Sequence, residues 1–217
     1  MKTPSNPSRY WLEKEIESYA SQLPADSVVL DAGGGACIYK KHFSHCKYES
    51  ADFAQMDGLK YDKLTYVCDL TKIPVENDRF GFILFTQVLE HVPEPELVLR
   101  ELSRVLKPGG RIFCSAPLIY HEHGAPYDFY RYTQHGLRYL FSKVGFMIEK
   151  IDRMEGFFMT SSYLLDHIRS NLPAGQRVAK KIFGYYAEKF RKLEMENKIT
   201  ETGMPINYIV VATKPDK

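Results

Sequence analysis

Apolar positions along the chain switch repeatedly between helical and strand spacing. From Ser8, the segment SRYWLEKEIESYASQL sets Trp11, Leu12, Ile16 and Tyr19 on one helical face with Glu and Lys elsewhere, which predicts an amphipathic helix after a Pro- and Ser-rich lead-in. Residues 27–30 form a short apolar run that predicts a strand, ending at Asp31 and three consecutive glycines. A helix is then expected over residues 38–43, and strands over 48–52, 64–68 and 80–85. Residues 95–106 carry the next helical pattern, with Leu97, Val98, Glu101, Leu102 and Val105 marking its faces, and Lys107-Pro108-Gly109-Gly110 stops it. A strand follows at 111–115, a helix at 134–144 stopped by Gly145, and strands at 147–152 and 208–213. Strands alternating with helices imply crossover connections, and hence an α/β, doubly wound, mostly parallel sheet. The last strand, after a long gap, is a candidate for antiparallel insertion.

The gap itself, residues 153–203, is longer than a turn needs. Phe157, Phe158, Met159, Tyr163, Leu164, Leu165 and Ile168 predict one amphipathic helix; Val178, Ile182, Tyr186, Phe190 and Leu193 give a second a common face. Residues 176–198 hold seven Lys or Arg against three Glu, a local +4. A basic amphipathic helix can lie on a membrane surface, but aromatic stripes ordinarily pack against protein, so the expectation is a lid or a dimer face. Residues 1–217 are expected to form a single domain, with an N-terminal helical extension at 1–26 and the helical insertion at 153–203.

Composition narrows the function. The 217 residues include 29 Lys plus Arg and 27 Asp plus Glu, a formal charge of +2 that gives no whole-chain basic footprint for nucleic acid. At 44% hydrophobic and 26% charged residues the chain matches a globular protein rather than a disordered one. Cys37, Cys46, Cys68 and Cys114 are scattered without a CxxC pair, so they are expected as reduced thiols. The N-terminal MKTPSNPSRYW lacks the pattern of a signal peptide, and no apolar run approaches a membrane span. A cytoplasmic location is expected.

The candidate chemistry begins at VVLDAGGGACIY. Glycines 33–35 let the backbone turn sharply and approach a ligand closely, and the helix expected after them would offer free N–H groups. Asp31 at the strand end is expected to point its carboxylate into the crevice where doubly wound sheets bind ligands. Asp52 ends the next strand, 19 residues beyond Gly33, where a carboxylate can accept from both ribose hydroxyls of a nucleoside. Asp69 ends the third strand, placed to accept from an adenine amino group while Leu70 packs on the ring. Any one of these acids alone is an ordinary solvated strand terminus. Acids at three consecutive strand ends make an adenosine-shaped site.

At this point the sequence resembles a family. VLDAGGG, the acid in SADF, and CDLTKIPVENDRFGFILFTQVLEHVPEPELVLRELSRVLKPGGRIFCSAP together look like class I S-adenosylmethionine-dependent methyltransferases, in the group carrying LEHV and LKPGG segments. The resemblance implies a Rossmann-like seven-stranded sheet with a reversed last strand. It also implies S-adenosylmethionine as methyl donor, with S-adenosylhomocysteine as product. Asp31, Gly33 and Gly35 would hold the methionine part, Asp52 with Phe53 the ribose region, and Asp69 with Leu70 the adenine; Thr86 and Gln87 would border the sulfonium. Cys37 stands where the family usually has another glycine. A nicotinamide dehydrogenase fits poorly, because G-x-G-x-x-G lacks its third glycine here and Asp31 would repel a pyrophosphate while favouring a sulfonium.

On the acceptor side, SAPLIYHEHGAPYDFYRYT supplies Tyr127, Asp128, Arg131 and Tyr132 as candidate substrate contacts, alongside an Asp128–Arg131 pair of purely structural role. His123, His121 and His91 are candidate general bases for a hydroxyl acceptor. The expectation is methyl transfer to an oxygen or nitrogen of a small molecule, in an enclosed aromatic-walled chamber formed by this loop and the helical insertion. The alternatives are a protein or RNA methyltransferase and a catalytically silent donor-binding or assembly protein. No nucleic-acid partner is expected, and a homodimer is left open. Some relatives bind a metal through E-x-x-E-H; here Gln87 replaces the first acid, so no metal is expected.

Overall fold

The computed structural model describes residues 7–55, 58, 60–197 and 203–216. Its helices are α1 (Pro7–Ala20), α2 (Pro95–Val105), α3 (Gln134–Lys143), α4 (Phe157–Asn171) and α5 (Arg177–Asn197). Its strands are β1 (Val28–Ala32), β2 (Lys47–Asp52), β3 (Tyr66–Val67), β4 (Phe80–Thr86), β5 (Leu106–Pro117), β6 (Met147–Arg153) and β7 (Asn207–Thr213). They form one seven-stranded sheet in the order β3-β2-β1-β4-β5-β7-β6. The first five strands run parallel, and β7 lies antiparallel between β5 and β6, as the long gap before it predicted.

Strand alternation divides the core into two layers. Leu30, Ile83, Phe85, Ile112 and Val210 face one way and meet Leu99 and Leu102 of α2 and Leu137 and Phe141 of α3. Val29, Phe82, Leu84, Phe113 and Val211 face the other way and meet Leu12, Ile16 and Ala20 of α1. Pro95 at the start of α2 loses no intrahelical bond there, and the Thr133 hydroxyl caps α3 by accepting from the Gly136 N–H. The result is a three-layer α/β/α sandwich whose parallel strands all end at one edge.

Two sequence expectations change, and the packing of α5 is set by residues outside its expected apolar face. The helix expected over 38–43 is only a 3-10 turn, Lys40–Phe43, because Cys37 enters it at φ +50 and only Phe43 within it is buried deeply enough to anchor a face. The strand expected over 64–68 contracts to Tyr66–Val67, since only Ala51 and Asp52 of β2 pair with it. In α5 the packed stripe runs through Gly184, Ala187 and Glu194, while Val178, Ile182 and Tyr186 of the expected face are exposed. Small residues decide this. Gly184 admits the Arg169 side chain, the Ala187 carbonyl accepts from Ser162, and Arg191 reaches Asp166 across the helix pair. Glu194, buried, then accepts from the N–H groups of Gly156 and Met159 and so caps the start of α4.

Candidate active site

The glycine turn is held by the strands beneath it. The Gly33 N–H donates to the Ala51 carbonyl (2.7 Å), and the Gly35 N–H donates to Asp52 Oδ2 (3.1 Å). Asp52 Oδ1 accepts from the Ala54 N–H (3.0 Å), so this carboxylate, 8% exposed, ties β2 to the turn with one bond per oxygen and spare lone pairs on each. Gly33 is at φ +76, and a Cβ added there would sit 2.2 Å from Val88 Cγ2, so the turn is pressed directly onto the segment after β4. Gly35, at φ +48, faces open space: an added Cβ meets no heavy atom within 4 Å. The α-helix N-terminus expected here is absent from the described residues. The donors at this turn are those of the turn itself.

Asp31 is placed differently from expectation. It lies under the turn rather than in the crevice, buried, and accepts from the Tyr48 hydroxyl. Burial pushes its pKa up to about 7, against the lowering effect of the Tyr48 bond and with a further rise from nearby Asp52. A carboxyl that ionises only near neutrality in the fold, and at 3.8 when free, binds more protons folded than unfolded as pH rises between those values. It therefore costs stability above about pH 4, fully so above about pH 7. Asp31→Asn is accordingly expected to be more stable than the parent at pH 8, with roughly 4 kcal/mol as a ceiling, and equal to it near pH 3; chemical denaturation at both pH values checks this.

The other donor-side residues sit at the neighbouring strand ends. Asp69 is exposed and accepts from the N–H and hydroxyl of Thr71 (both 2.8 Å), while Leu70 is buried in the α2-side core. Thr86 ends β4; Gln87, at φ +55, donates from Nε2 to Ser115 Oγ (3.0 Å). Phe53 meets the edge of Tyr127 at 5.2 Å, which links the donor side to the acceptor loop.

That loop, residues 118–133, is bolted down by its polar groups. Arg131 pairs with both oxygens of Asp128 (2.7 and 2.9 Å) and donates to the carbonyls of Tyr120, His121 and Tyr130. The guanidinium holds the Asp128 carboxyl well below the usual range. Tyr132, expected at the acceptor, is a core residue whose hydroxyl donates to the Leu89 carbonyl, because the loop must be sealed where it re-enters the sandwich. α4 reaches the same edge: Tyr163 stacks on Tyr120 at 5.4 Å, and its hydroxyl lies 2.6 Å from His121 Nδ1. The expected aromatic-walled chamber is, in this structure, a stacked cluster of Tyr120, His121, Tyr163 and His167.

The histidines differ in surroundings. His91, in the 3-10 turn Leu89–His91, has Nδ1 on the Tyr127 carbonyl, and burial lowers its pKa. His123 meets it edge to face at 4.7 Å. His121 is exposed, and its pKa is lowered by partial burial and by His167. Sequence reasoning missed two neighbours. Tyr48 pairs with Val29, two positions before Asp31 on the same strand, a placement visible only once β1 and β2 are aligned. Glu90 is 0% exposed, with burial pushing its pKa up to about 7, and nothing in LEHV distinguishes it from a surface acid.

The comparison with known families bears on this fold. Residues 8–151 match the family model described as "Methyltransferase domain". The chain belongs to this methyltransferase-domain family. Sarcosine/dimethylglycine N-methyltransferase of Halorhodospira halochloris is 30% identical over 125 residues, covering 51% of this chain and 44% of that protein. A ubiquinone/menaquinone biosynthesis C-methyltransferase of Desulfotalea psychrophila is 35% identical over 103 residues, covering 42% of each. The chain thus spans less than half the length of these curated relatives. Among solved structures, phosphoethanolamine N-methyltransferase 2 of Haemonchus contortus, in complex with phosphomonomethylethanolamine and S-adenosylhomocysteine, superposes with a TM-score of 0.59 at 14% identity, over 94% of this chain and 53% of that one. At that identity the likeness describes the fold: a methyltransferase sandwich with its last strand reversed. Among the described residues no helix is long and apolar enough to cross a membrane.

Proposed function

We propose that this chain is an S-adenosylmethionine-dependent methyltransferase that moves a methyl group to an oxygen or nitrogen of a small-molecule acceptor by direct displacement. The observation that carries the reading is Asp52, a buried strand-end carboxylate that ties the glycine turn in place and keeps lone pairs on both oxygens. The open space over Gly35 would admit the cationic tail of an adenosyl group, with Thr86, at the end of β4, bordering it. Asp52 and Phe53 would take the ribose region and Asp69 the adenine amino group. Leu70, buried in the core, would support the adenine site from beneath. Asp31 would act through the turn it underlies, where a bound sulfonium would favour its ionised form.

When bound, S-adenosylmethionine supplies an electrophilic methyl group on sulfonium. The chain's own residues must then align the acceptor and exclude water, since a displacement at carbon gains most from orientation. The loop locked by Asp128 and Arg131, with Tyr127 set against Phe53, provides a fixed wall on that side. His91, His121 and His123 are the candidates to accept a proton from a hydroxyl acceptor. The test is transfer of labelled methyl from S-adenosylmethionine to a panel of small hydroxylated and amino acceptors, with bulk RNA and protein in parallel. Label in a small molecule is the expected result. Label in RNA or protein alone, or donor binding with no transfer to any class, would support the alternatives.

A further inference from the structure

We propose that Glu90, His91 and His123 form a divalent transition-metal site, with one carboxylate oxygen and two imidazole nitrogens as ligands, at the carboxyl edge of the sheet. One ligand atom from each of the three lies within 4.8 Å of the other two. Glu90 carries the case. It is 0% exposed, and neither carboxylate oxygen has a hydrogen-bond partner. A buried carboxylate without partners is costly, and a neutral carboxyl would not resolve it, because its O–H and its carbonyl would both still need partners. His91 Nε2 lies 3.8 Å from its Oε1.

Each imidazole has a backbone carbonyl beside its Nδ1. His91 sets Nδ1 on the Tyr127 carbonyl, and His123 sets Nδ1 3.1 Å from the His121 carbonyl. Each ring can therefore donate its Nδ1 proton to backbone and leave Nε2 with a free lone pair, the arrangement that outer partners impose on ligating histidines. Asp128 Oδ2 lies 3.6 Å from His123 Nδ1 and adds negative charge behind that ring, while its other contacts hold Arg131. Tetrahedral zinc needs ligand atoms about 3.3 Å apart, a contraction within reach of side-chain rotation. Two nitrogens and one carboxylate oxygen favour zinc or a similar first-row ion over magnesium or calcium, and three protein ligands leave a coordination position open.

This assignment replaces the sequence expectation of no metal. That expectation rested on Gln87, which breaks the acidic segment and is turned to Ser115 here. The missing ligand comes instead from His123, 32 positions beyond His91 in a different loop. The site stands independently of the methyltransferase reading; only a role in polarising a bound acceptor would rest on it.

The experiment is titration of the chelator-stripped full chain with Zn2+ by calorimetry and with Co2+ by visible absorption. One equivalent should bind, and Co2+ should give the intense visible bands of a four- or five-coordinate ion. Glu90→Gln and His123→Ala should each weaken Zn2+ binding at least tenfold, and Glu122→Gln, an exposed acid beside His123, should leave it unchanged. Thermal unfolding verifies that each variant is folded, and Glu90→Gln keeps the volume of the buried side chain. Absence of stoichiometric binding, or binding unchanged in both Glu90→Gln and His123→Ala, would overturn the site. S-adenosylhomocysteine affinity, measured on the stripped chain, separates that failure from a failure of the donor reading.

Discussion

Asp52→Ala is expected to weaken S-adenosylmethionine binding roughly 5- to 150-fold, the equivalent of the about 1–3 kcal/mol lost when a buried polar group loses its partner. Two losses coincide. The donor's hydroxyls lose their acceptor, and the Gly35 N–H loses the bond that fixes the turn. Asp52→Asn separates them, because its amide oxygen can keep one of the two loop bonds but cannot accept at both positions. Its affinity is expected between those of the parent and the alanine variant. Calorimetric titration with S-adenosylhomocysteine measures all three, and an unchanged affinity in Asp52→Ala would remove this residue from the donor site.

Gly33→Ala is expected to cost about 2–4 kcal/mol of stability, a fall in Tm of roughly 5–15 °C. The new Cβ would stand 2.2 Å from Val88 Cγ2 and would hold a non-glycine residue at φ +76. Clash and backbone strain are separable. Val88→Ala removes the clash and leaves the strain, so adding Gly33→Ala to Val88→Ala should cost less than adding it to the parent. Equal costs in the two backgrounds would show that Gly33 is constrained by its dihedral angle alone. The thermal unfolding of the four proteins in this cycle decides it.

The succession of strands and helices and the strand-end acids were legible because they rest on local signals: apolar runs, glycine punctuation and an acid where a run stops; the reversed last strand was expected from the long gap before it and from the family resemblance. Asp31 and Asp52 stand at the ends of adjacent strands β1 and β2 and Asp69 two residues beyond β3, yet only Asp52 both reaches the turn and keeps free lone pairs. Local pattern does not say which way a strand-end side chain turns. Asp31 turned to Tyr48, and that choice depends on the pairing of β1 with β2. In α5, likewise, spacing marked a common apolar face but not which residues would meet α4, where close approach is made at Gly184 and Ala187. The same limit explains Glu90 as well, since burial is set by what the 118–133 loop places over it. Tyr132 looked like an acceptor contact because it sits in an aromatic-rich loop, whereas its hydroxyl closes the core against Leu89.

The central claim is that the carboxyl edge around Asp52 and the glycine turn holds the methyl donor. A crystal structure of the full chain grown with S-adenosylhomocysteine tests it most directly. The predicted result is density with the ribose hydroxyls within hydrogen-bond distance of Asp52, the adenine at Asp69 and Leu70, and the homocysteine tail over Gly33 and Gly35 toward Thr86. Density for the ligand elsewhere on the molecule, or an empty edge at saturating ligand concentration, would contradict it.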